Sequence, residues 1–374
     1  MLSGIDPALA GSLRFRTIRG TTPAGWDELV RADATASYFM TRNWWNACLT
    51  LVPRSHQLAV TAWLEGRLVA GIAAVEQELG PWRRVFALPM GTHGGVLLHP
   101  KVLRDAPRPE PAGDLPWWPD RDPRWFFESS LAAELALRLF ELPRLLECHF
   151  FDAAGRAGER LAFLPGVQCS FPVQRLLATD RSTAELWGGL SSRCRNKVRR
   201  AQRAGVRVNR ASAPSAGMAT VVHLREEMQR RRGLDLGVSD ALLKNLAESF
   251  GDSPDAFRVD IWHATLPHEP HPVAALVNLA APHRIQNHAA LASDRGRAVA
   301  AHNALHWAAI QDAAQRGCRI YDFGLSEGLP GVDAFKASFG AAPVRMRAWQ
   351  RIHPSMRAVK AARRRWGGGL ALTV

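Results

Sequence analysis

The sequence has few cysteines and no long apolar run. Five cysteines are scattered through the 374 residues without a C-x-x-C pair or a regular spacing, so neither a zinc ribbon nor a disulfide framework is indicated. No stretch of about 18 uncharged apolar residues occurs. The first residues lack the basic and then apolar pattern of a secretory signal. We therefore expect a soluble, cytoplasmic protein with reduced thiols and no metal site.

Lysine is also scarce, although the chain is strongly basic. The net charge is +14, yet lysine occurs only at Lys101, Lys197, Lys244, Lys336 and Lys360, so the basicity is almost entirely arginine. Where charge alone suffices arginine has replaced lysine, and a retained lysine is therefore a candidate for amine chemistry. The excess positive charge favours anionic partners, namely nucleic acid, anionic lipid or phosphate-bearing substrates.

The length favours two domains, because a domain typically contains about 100 to 200 residues. Apolar residues alternate from Gln57 to Gly80 around Glu65-Gly66, which predicts two antiparallel strands joined by a tight turn. Helical spacing from Phe126 to Phe140 predicts a helix that precedes a short strand. Six prolines between Arg104 and Arg124 predict a surface loop. Glycine, alanine and charge then place the domain boundary near residue 165.

The second half repeats the succession of strands, helix and strand. Ser191 precedes a basic run that ends at Gly205, which predicts a helix with an N-cap and a glycine stop. Alternating segments then predict a hairpin and a further strand. An alanine-rich helix is predicted from Ala298 to Arg316, followed by a strand that ends at Asp322. We infer two related α/β domains.

The most specific segment runs from Arg319 to Gly340. It resembles the stretch that closes the second domain of FemAB-like transferases, where a strand ending in Asp-Phe-Gly precedes a Phe-Lys-x-x-Phe-Gly motif. The matching residues are Asp322, Phe323, Gly324, Phe335, Lys336, Phe339 and Gly340. The basic helix after Ser191, the Arg-Gly element from Glu227 to Leu234 and the opening YFMTRNWWNA also resemble this family. The similarity thus spans nearly the whole chain.

The resemblance implies a fold and a class of reaction. It implies an α/β (α+β) protein of two tandem GNAT-like domains, 1–165 and 166–374, each a mixed, mainly antiparallel sheet flanked by helices. It also implies acyl or aminoacyl transfer from acyl-CoA or aminoacyl-tRNA as co-substrate, with no permanently bound cofactor. The acceptor would be an amine or hydroxyl of a cell-envelope or exopolysaccharide precursor, phosphate-bearing or lipid-linked.

Three residues of this segment are candidates for catalysis. A cation in a dry cleft stabilises the oxyanion of acyl transfer, so Lys336 supplies that charge or holds a substrate phosphate; the alternative is a lysine at the edge of an aromatic core. Asp322 orients Lys336 or accepts a proton, or else caps the following turn. Glu327, on a glycine-flanked loop, is the other candidate base.

Seven further residues are candidates for substrate binding. The basic helix has too much like charge for a merely solvated face, which favours an anionic ligand such as tRNA, nucleotide-sugar pyrophosphate or lipid phosphate. The candidates are Arg195, Lys197 and Arg199 on this helix, Arg232 near the Arg-Gly element, Asn303 on the alanine-rich helix, and Phe335 and Phe339 beside the lysine.

Two segments of the sequence allow more than one interpretation. The turn Asp294-Arg295-Gly296-Arg297-Ala298 departs from the Q/R-x-x-G-x-G/A phosphate loop of acetyl-CoA enzymes, because the second glycine is missing. The segment MRAVKAARRRWGGGL is either a basic helix that contacts an anionic membrane or a disordered basic tail. The alternative to a transferase is a non-catalytic RNA-binding protein or a scaffold of an envelope or exopolysaccharide system.

Overall fold

The computed structural model describes residues 13–87, 92, 94–100, 124–152, 154–157, 160–232, 242, 257–326 and 328–365. Two compact units make up the chain, one of Met1–Pro172 with Met346–Val374 and one of Val173–Arg345. The prolines of the predicted surface loop, from 107 to 123, lie outside the described residues.

The strands are β1 (Leu13–Arg19), β2 (Ser55–Leu64), β3 (Arg67–Leu79), β4 (Trp82–Ala87), β5 (Leu97–Leu98), β6 (Leu145–Asp152), β7 (Val167–Ser170), β8 (Val173–Ala178), β9 (Arg207–Arg210), β10 (Arg258–Thr265), β11 (Ala274–Ala280), β12 (Arg284–Ala292), β13 (Ile320–Leu325), β14 (Ala342–Arg345) and β15 (Arg347–Ile352). The helices are α1 (Trp26–Ala32), α2 (Arg42–Leu49), α3 (Arg124–Phe140), α4 (Thr183–Gly189), α5 (Ser192–Arg203), α6 (Pro214–Arg232), α7 (Asp294–Ala298), α8 (Ala301–Gln315), α9 (Pro330–Ala337) and α10 (Pro354–Arg365).

The first unit is built on an eight-stranded sheet of order β1-β2-β3-β4-β6-β15-β7, with β5 paired to β3. Glu65 and Gly66 both have positive φ, the geometry of a tight type I′ turn, which confirms the predicted hairpin of β2 and β3. Helix α3 packs on this sheet and contributes Leu131, Leu135 and Leu139 to a buried apolar core. Burying each leucine contributes about 1.5–3 kcal/mol.

The C-terminal segment belongs to the first unit, which differs from the predicted second domain of 166–374. Strand β15 lies between β6 and β7 and pairs antiparallel with both. The pairing satisfies backbone groups that would otherwise be left at an open sheet edge, and this favours the return of the chain. Helix α10 follows and donates a hydrogen bond from Lys360 to Glu147. Trp366, at the end of the predicted basic helix, lies outside the described residues.

Glu147 is a buried carboxylate of β6, and the pH dependence of unfolding tests its contacts. Burial alone would raise the pKa of Glu147, but hydrogen bonds from His149 and Lys360 and the charge of Arg84 outweigh it and lower the pKa to about 2. A lowered folded-state pKa contributes stability above the unfolded value of 4.5 and loses it as pH falls towards 2. We expect wild type to lose about 2–3 kcal/mol in this window.

Urea unfolding measured between pH 7 and pH 2.5 checks this expectation. The Glu147→Gln variant cannot ionise at this position, so its free energy of unfolding should not show this fall as the pH is lowered. If the variant loses as much stability at low pH as wild type, the loss does not come from protonation of Glu147.

The second unit is built on a seven-stranded sheet of order β14-β8-β13-β12-β11-β10-β9. In each unit one pair of neighbouring strands is parallel, β4 with β6 and β12 with β13, and the other described pairs are antiparallel. A helix connects the strands of each parallel pair, α3 in the first unit and α8 in the second. The prediction of two mixed, mainly antiparallel sheets flanked by helices is confirmed.

The alanine-rich helix predicted from Ala298 to Arg316 is present as α8, Ala301–Gln315, and begins three residues later than predicted. Helix α7 ends at Ala298, and α8 begins at Ala301 after Ala300, which has a left-handed backbone with φ 60°. A left-handed alanine cannot continue a right-handed helix and costs roughly 1–2 kcal/mol. The break sets the direction in which α8 crosses the sheet.

Candidate active site

Strands β12 and β13 run together only at their beginnings. They pair in parallel from Arg284 with Ile320 to Gln286 with Asp322, after which β12 continues to Ala292 without pairing to β13. Each strand also shifts register against its other neighbour near this point, β12 against β11 and β13 against β8. The sheet therefore opens into a V between β12 and β13, and the facing backbone groups lack a strand partner within the described unit.

Asp322 lies at the vertex of this opening and is fully buried. The Arg284 guanidinium donates to Asp322 Oδ2 from Nη2 at 2.6 Å and from Nε at 3.2 Å. The other carboxylate oxygen, Oδ1, accepts from the Gly324 backbone N–H at 2.8 Å. Asp322 is thus held by an ion pair and caps the turn at Gly324, where φ is 70°. The arrangement suits a residue that positions β13 rather than a mobile base.

Lys336 is buried on α9, with 8% of its surface exposed. Its Nζ donates to the carbonyl oxygens of Leu325 at 2.6 Å and Gly324 at 3.2 Å. These two carbonyls belong to the end of β13, beyond the point where β12 diverges. The lysine therefore connects α9 to the end of β13 and places a positive charge beside the opening.

Phe335 and Phe339 lie in an aromatic cluster rather than on an open surface. Phe339 is fully buried, and its ring centroid lies 5.2 Å from Phe335 and 5.4 Å from Phe323. His306 of α8 packs against Phe335 at 5.4 Å and faces the Tyr321 hydroxyl through Nδ1 at 3.0 Å. Burial lowers the pKa of His306, so its ring is neutral at physiological pH. The packing of Phe335 and Phe339 in this cluster holds the segment that carries Lys336 in place.

The predicted phosphate turn is a short capped helix. The Ser293 hydroxyl accepts from the Gly296 N–H at 3.1 Å, and the N-terminal residue Asp294 pairs with Arg231 at 2.8 Å. A Cβ at Gly296 would clash with the carbonyl oxygen of Val273, the residue before β11, so close packing explains this glycine. The second glycine of the motif would have stood two residues after Gly296, at Ala298, the last residue of α7.

The basic helix α5 begins at its predicted N-cap, Ser191, whose hydroxyl accepts from the Cys194 N–H. Arg195 turns inward and donates to the carbonyls of Leu190 and Gly188, while Arg199 lies over the Trp187 ring at 5.6 Å. Lys197 instead lies in a shallow groove of about 450 Å³. The groove is lined by Ser192, Arg193, Asn196, Lys197, Arg200 and Arg203.

The structure distributes the remaining candidates over different places. Asn303 is buried and donates to Cys194 Sγ at 3.6 Å, so it packs α8 against α5. Arg232 ends α6, but its side chain is outside the described residues, as is Glu327. The structure thus gathers Asp322, Lys336, Phe335 and Phe339 around the end of β13 and leaves the basic helix as a separate surface.

Sequence reasoning missed three residues of β12. Arg284 is the ion-pair partner of Asp322, and Gln286 is buried beside it with an Oε1 that has no hydrogen-bond partner among the described residues. His288 lies at the register shift where β12 leaves β13, and burial lowers its pKa to about 4. The signal was the polar run Gln-Asn-His inside an otherwise apolar strand.

The cysteines are unsuited to nucleophilic catalysis. All five are free thiols, and Cys48, Cys148, Cys194 and Cys318 are buried. Desolvation raises the pKa of each of the five above its usual value. A protonated thiol is a weak nucleophile, so the cysteines do not favour a covalent acyl-enzyme.

Comparison with known proteins identifies the kind of domain and fold. Residues 190–337 match the family model described as an acetyltransferase (GNAT) domain. The chain is similar to the crystal structure of FemX, with a TM-score of 0.67 and 12% identity over 92% of this chain and 99% of that one. A conserved protein of unknown function from Bacteroides thetaiotaomicron VPI-5482 has a TM-score of 0.54 and 10% identity over 91% and 100% of the two chains. No curated protein matches the chain by sequence.

These likenesses decide the predictions of class. The similarity to FemX confirms the predicted fold, and the match of residues 190–337 confirms the predicted acyltransferase domain of the GNAT type in that part of the chain. The similarity to FemX concerns the fold and leaves donor and acceptor open. Within the described residues, none of the helices combines the length and apolar character needed to cross a bilayer.

Proposed function

Because residues 190–337 form an acetyltransferase (GNAT) domain, we propose that this protein transfers an acyl or aminoacyl group from a thioester or ester donor to an amine or hydroxyl. The donor is acyl-CoA or aminoacyl-tRNA, and the acceptor is a phosphate-bearing precursor of the cell envelope or of a polysaccharide. The divergence of β12 from β13 carries the proposal, because beyond Gln286 the edge of β12 has no strand partner on this side and lies beside the end of β13 that Lys336 holds.

The opening supplies binding groups for a donor. The donor carbonyl can accept from backbone N–H groups on the part of β12 that does not pair with β13, and these N–H groups polarise it for attack. The first turn of α8 lacks a side-chain cap at Ala300, and its N–H groups and helix dipole favour a donor phosphate. The left-handed backbone of Ala300 turns the chain at this point and sets the direction in which α8 begins.

The proposed chemistry is a single displacement. The acceptor nitrogen or oxygen attacks the donor carbonyl carbon, the bond from that carbon to sulfur or oxygen breaks, and the donor leaves with a proton. Burial lowers the pKa of His288 to about 4, so it is neutral but a weak base at physiological pH. The proton that the acceptor loses therefore passes to the leaving sulfur or oxygen. Raised thiol pKa values support direct transfer. In this scheme Lys336 and Asp322 position the end of β13.

A second candidate function is supported by the groove on α5. Arg193, Lys197, Arg200 and Arg203 line one side of a helix without a carboxylate partner in the described structure, a stripe of charge that fits a phosphate backbone. The alternative is therefore a non-catalytic RNA-binding or scaffold protein. Contact of the basic helix α10 with an anionic membrane also stays a prediction.

Donor consumption with a matched set of substrates tests the proposal. Acetyl-CoA, longer acyl-CoAs and charged tRNA are each incubated with the protein and an amine-bearing nucleotide sugar or UDP-linked peptide. We expect one donor to be consumed only when acceptor is present, with the acylated acceptor detected by mass spectrometry.

The same donors should raise the melting temperature of the protein. Failure of every donor to be consumed or to stabilise the protein would reject the transferase. Tight binding to random RNA with a steep salt dependence would then favour the alternative.

A further inference from the structure

A cavity of about 350 Å³ lies in the first unit at the end of the β3–β4 hairpin. Three arginines from three segments line it, Arg19 at the end of β1, Arg83 on β4 and Arg144 just before β6. Trp82, with 44% of its surface exposed, forms part of the same lining. The hairpin turn itself is Gly80-Pro81.

A buried carboxylate orients two of these arginines. Glu76, with 1% of its surface exposed, accepts from Arg19 Nε at 2.7 Å through Oε2 and from Arg83 Nη1 at 2.8 Å through Oε1. His56 also reaches Oε2, at 2.8 Å. Desolvation would raise the pKa of Glu76, but hydrogen bonds from Arg19 and His56 and the nearby charges lower it overall. The glutamate is therefore ionised and fixes both guanidinium groups.

Most of the donors of these arginines are not used by Glu76. A guanidinium has five N–H donors, and the carboxylate takes one from Arg19 and one from Arg83. Arg83 Nε is buried without a hydrogen-bond partner in the described structure. Arg144 has no carboxylate partner among the described residues. Three arginines against Glu76 and the exposed Glu78 leave the cavity with a net positive charge.

The backbone of Arg144 is a second, independent observation. Its φ is 58°, a left-handed conformation that glycine adopts freely and that other residues adopt at a cost. Its carbonyl accepts from the Arg83 backbone N–H at 3.0 Å, which fixes this conformation at the cavity. Strained residues of this kind cluster at binding sites. Glycine would adopt this backbone without strain, so Arg144→Gly removes the side chain from the cavity and leaves the backbone in place.

We propose that this cavity binds the phosphate group of a small molecule whose organic part lies against Trp82. Three arginines that line the cavity from three different segments supply more donors and charge than a carboxylate needs, and suit the several oxygens and double charge of a phosphate. The half-exposed indole offers an apolar face to a sugar or a flat ring. The site is built entirely from the first unit and does not depend on acyl transfer.

Calorimetric titration of the full chain at constant ionic strength tests the site, with inorganic phosphate, UDP and succinate as probes. We expect saturable binding of phosphate and UDP, and none of succinate.

Arg144→Gly should weaken the binding of phosphate and of UDP by about tenfold or more. It should not lower the melting temperature of the free protein, because glycine suits the left-handed backbone. Trp82→Ala should weaken UDP binding and spare phosphate. Arg67→Ala, an exposed arginine at the far end of β3, should change neither.

Three outcomes would overturn the proposal. The first is the absence of saturable phosphate or UDP binding by wild type. The second is binding that Arg144→Gly leaves unchanged, since any phosphate site would then lie elsewhere. The third concerns succinate. Equal binding of succinate would show a general anion site and would contradict the assignment to phosphate.

Discussion

Lys336→Met should lower kcat for acyl transfer by about a hundredfold while leaving the fold of the second unit in place. The lysine fixes the carbonyls of Gly324 and Leu325 at the end of β13, and a misplacement of about 1 Å in an active site can cost roughly a hundredfold in rate. Methionine has nearly the length of lysine but donates no hydrogen bond. Steady-state kinetics with the donor found for wild type provide the measurement.

The division of the loss between kcat and KM identifies the role of Lys336. A lysine that only binds a donor phosphate would raise KM and leave kcat unchanged. One that positions β13 or stabilises the oxyanion would lower kcat. Lys360→Met is the matched control, because Lys360 is a lysine of the first unit that contacts Glu147. It should keep acyl transfer near the wild-type rate, and equal losses in both variants would contradict the role given to Lys336.

Asp322→Ala should destabilise the second unit by about 3–5 kcal/mol, because removing one partner of a buried ion pair leaves an uncompensated charge. The stranded group is the Arg284 guanidinium, whose side chain is only 12% exposed. The Gly324 N–H loses its acceptor as well. Urea unfolding followed by tryptophan fluorescence measures the change, with Trp187, Trp262 and Trp307 as reporters in this unit.

A second substitution separates the structural from the catalytic role of Asp322. Arg284→Met combined with Asp322→Leu removes both charges, and we expect it to recover most of the lost stability. If Asp322 were also the catalytic base, this double variant would recover stability but not acyl transfer. A loss of only a few tenths of a kcal/mol in Asp322→Ala would refute the ion-pair role.

Local features of the fold were predictable because their causes are local. Ser191 and Gly205 bound α5 as cap and stop, and Glu65-Gly66 makes the turn of the first hairpin. The segment from Asp322 to Gly340 was also found from sequence, since glycine, lysine and phenylalanine occur there in a distinctive order. Its grouping around the end of β13 then follows from short connections.

The rest depends on contacts between residues far apart in the chain. Arg284, the partner of Asp322, lies 38 positions away and looks like an ordinary strand residue. The opening arises from register shifts, which no residue pattern specifies, and His288 acquires its low pKa only through burial. The predicted binding of an anionic ligand by Arg195 and Arg199 likewise could not be judged without the carbonyls and the indole that they contact.

The position of β15 has a consequence for biosynthesis. The sheet of the first unit lacks the strand between β6 and β7 until Ile352 has left the ribosome, whereas the second unit is a continuous stretch, Val173–Arg345. At about 5–20 residues per second, the interval between synthesis of β7 and of β15 is on the order of 10 s or more. During that time the edge of β6 is open to chaperones or to other nascent chains, so the C-terminal half can finish folding before the N-terminal half.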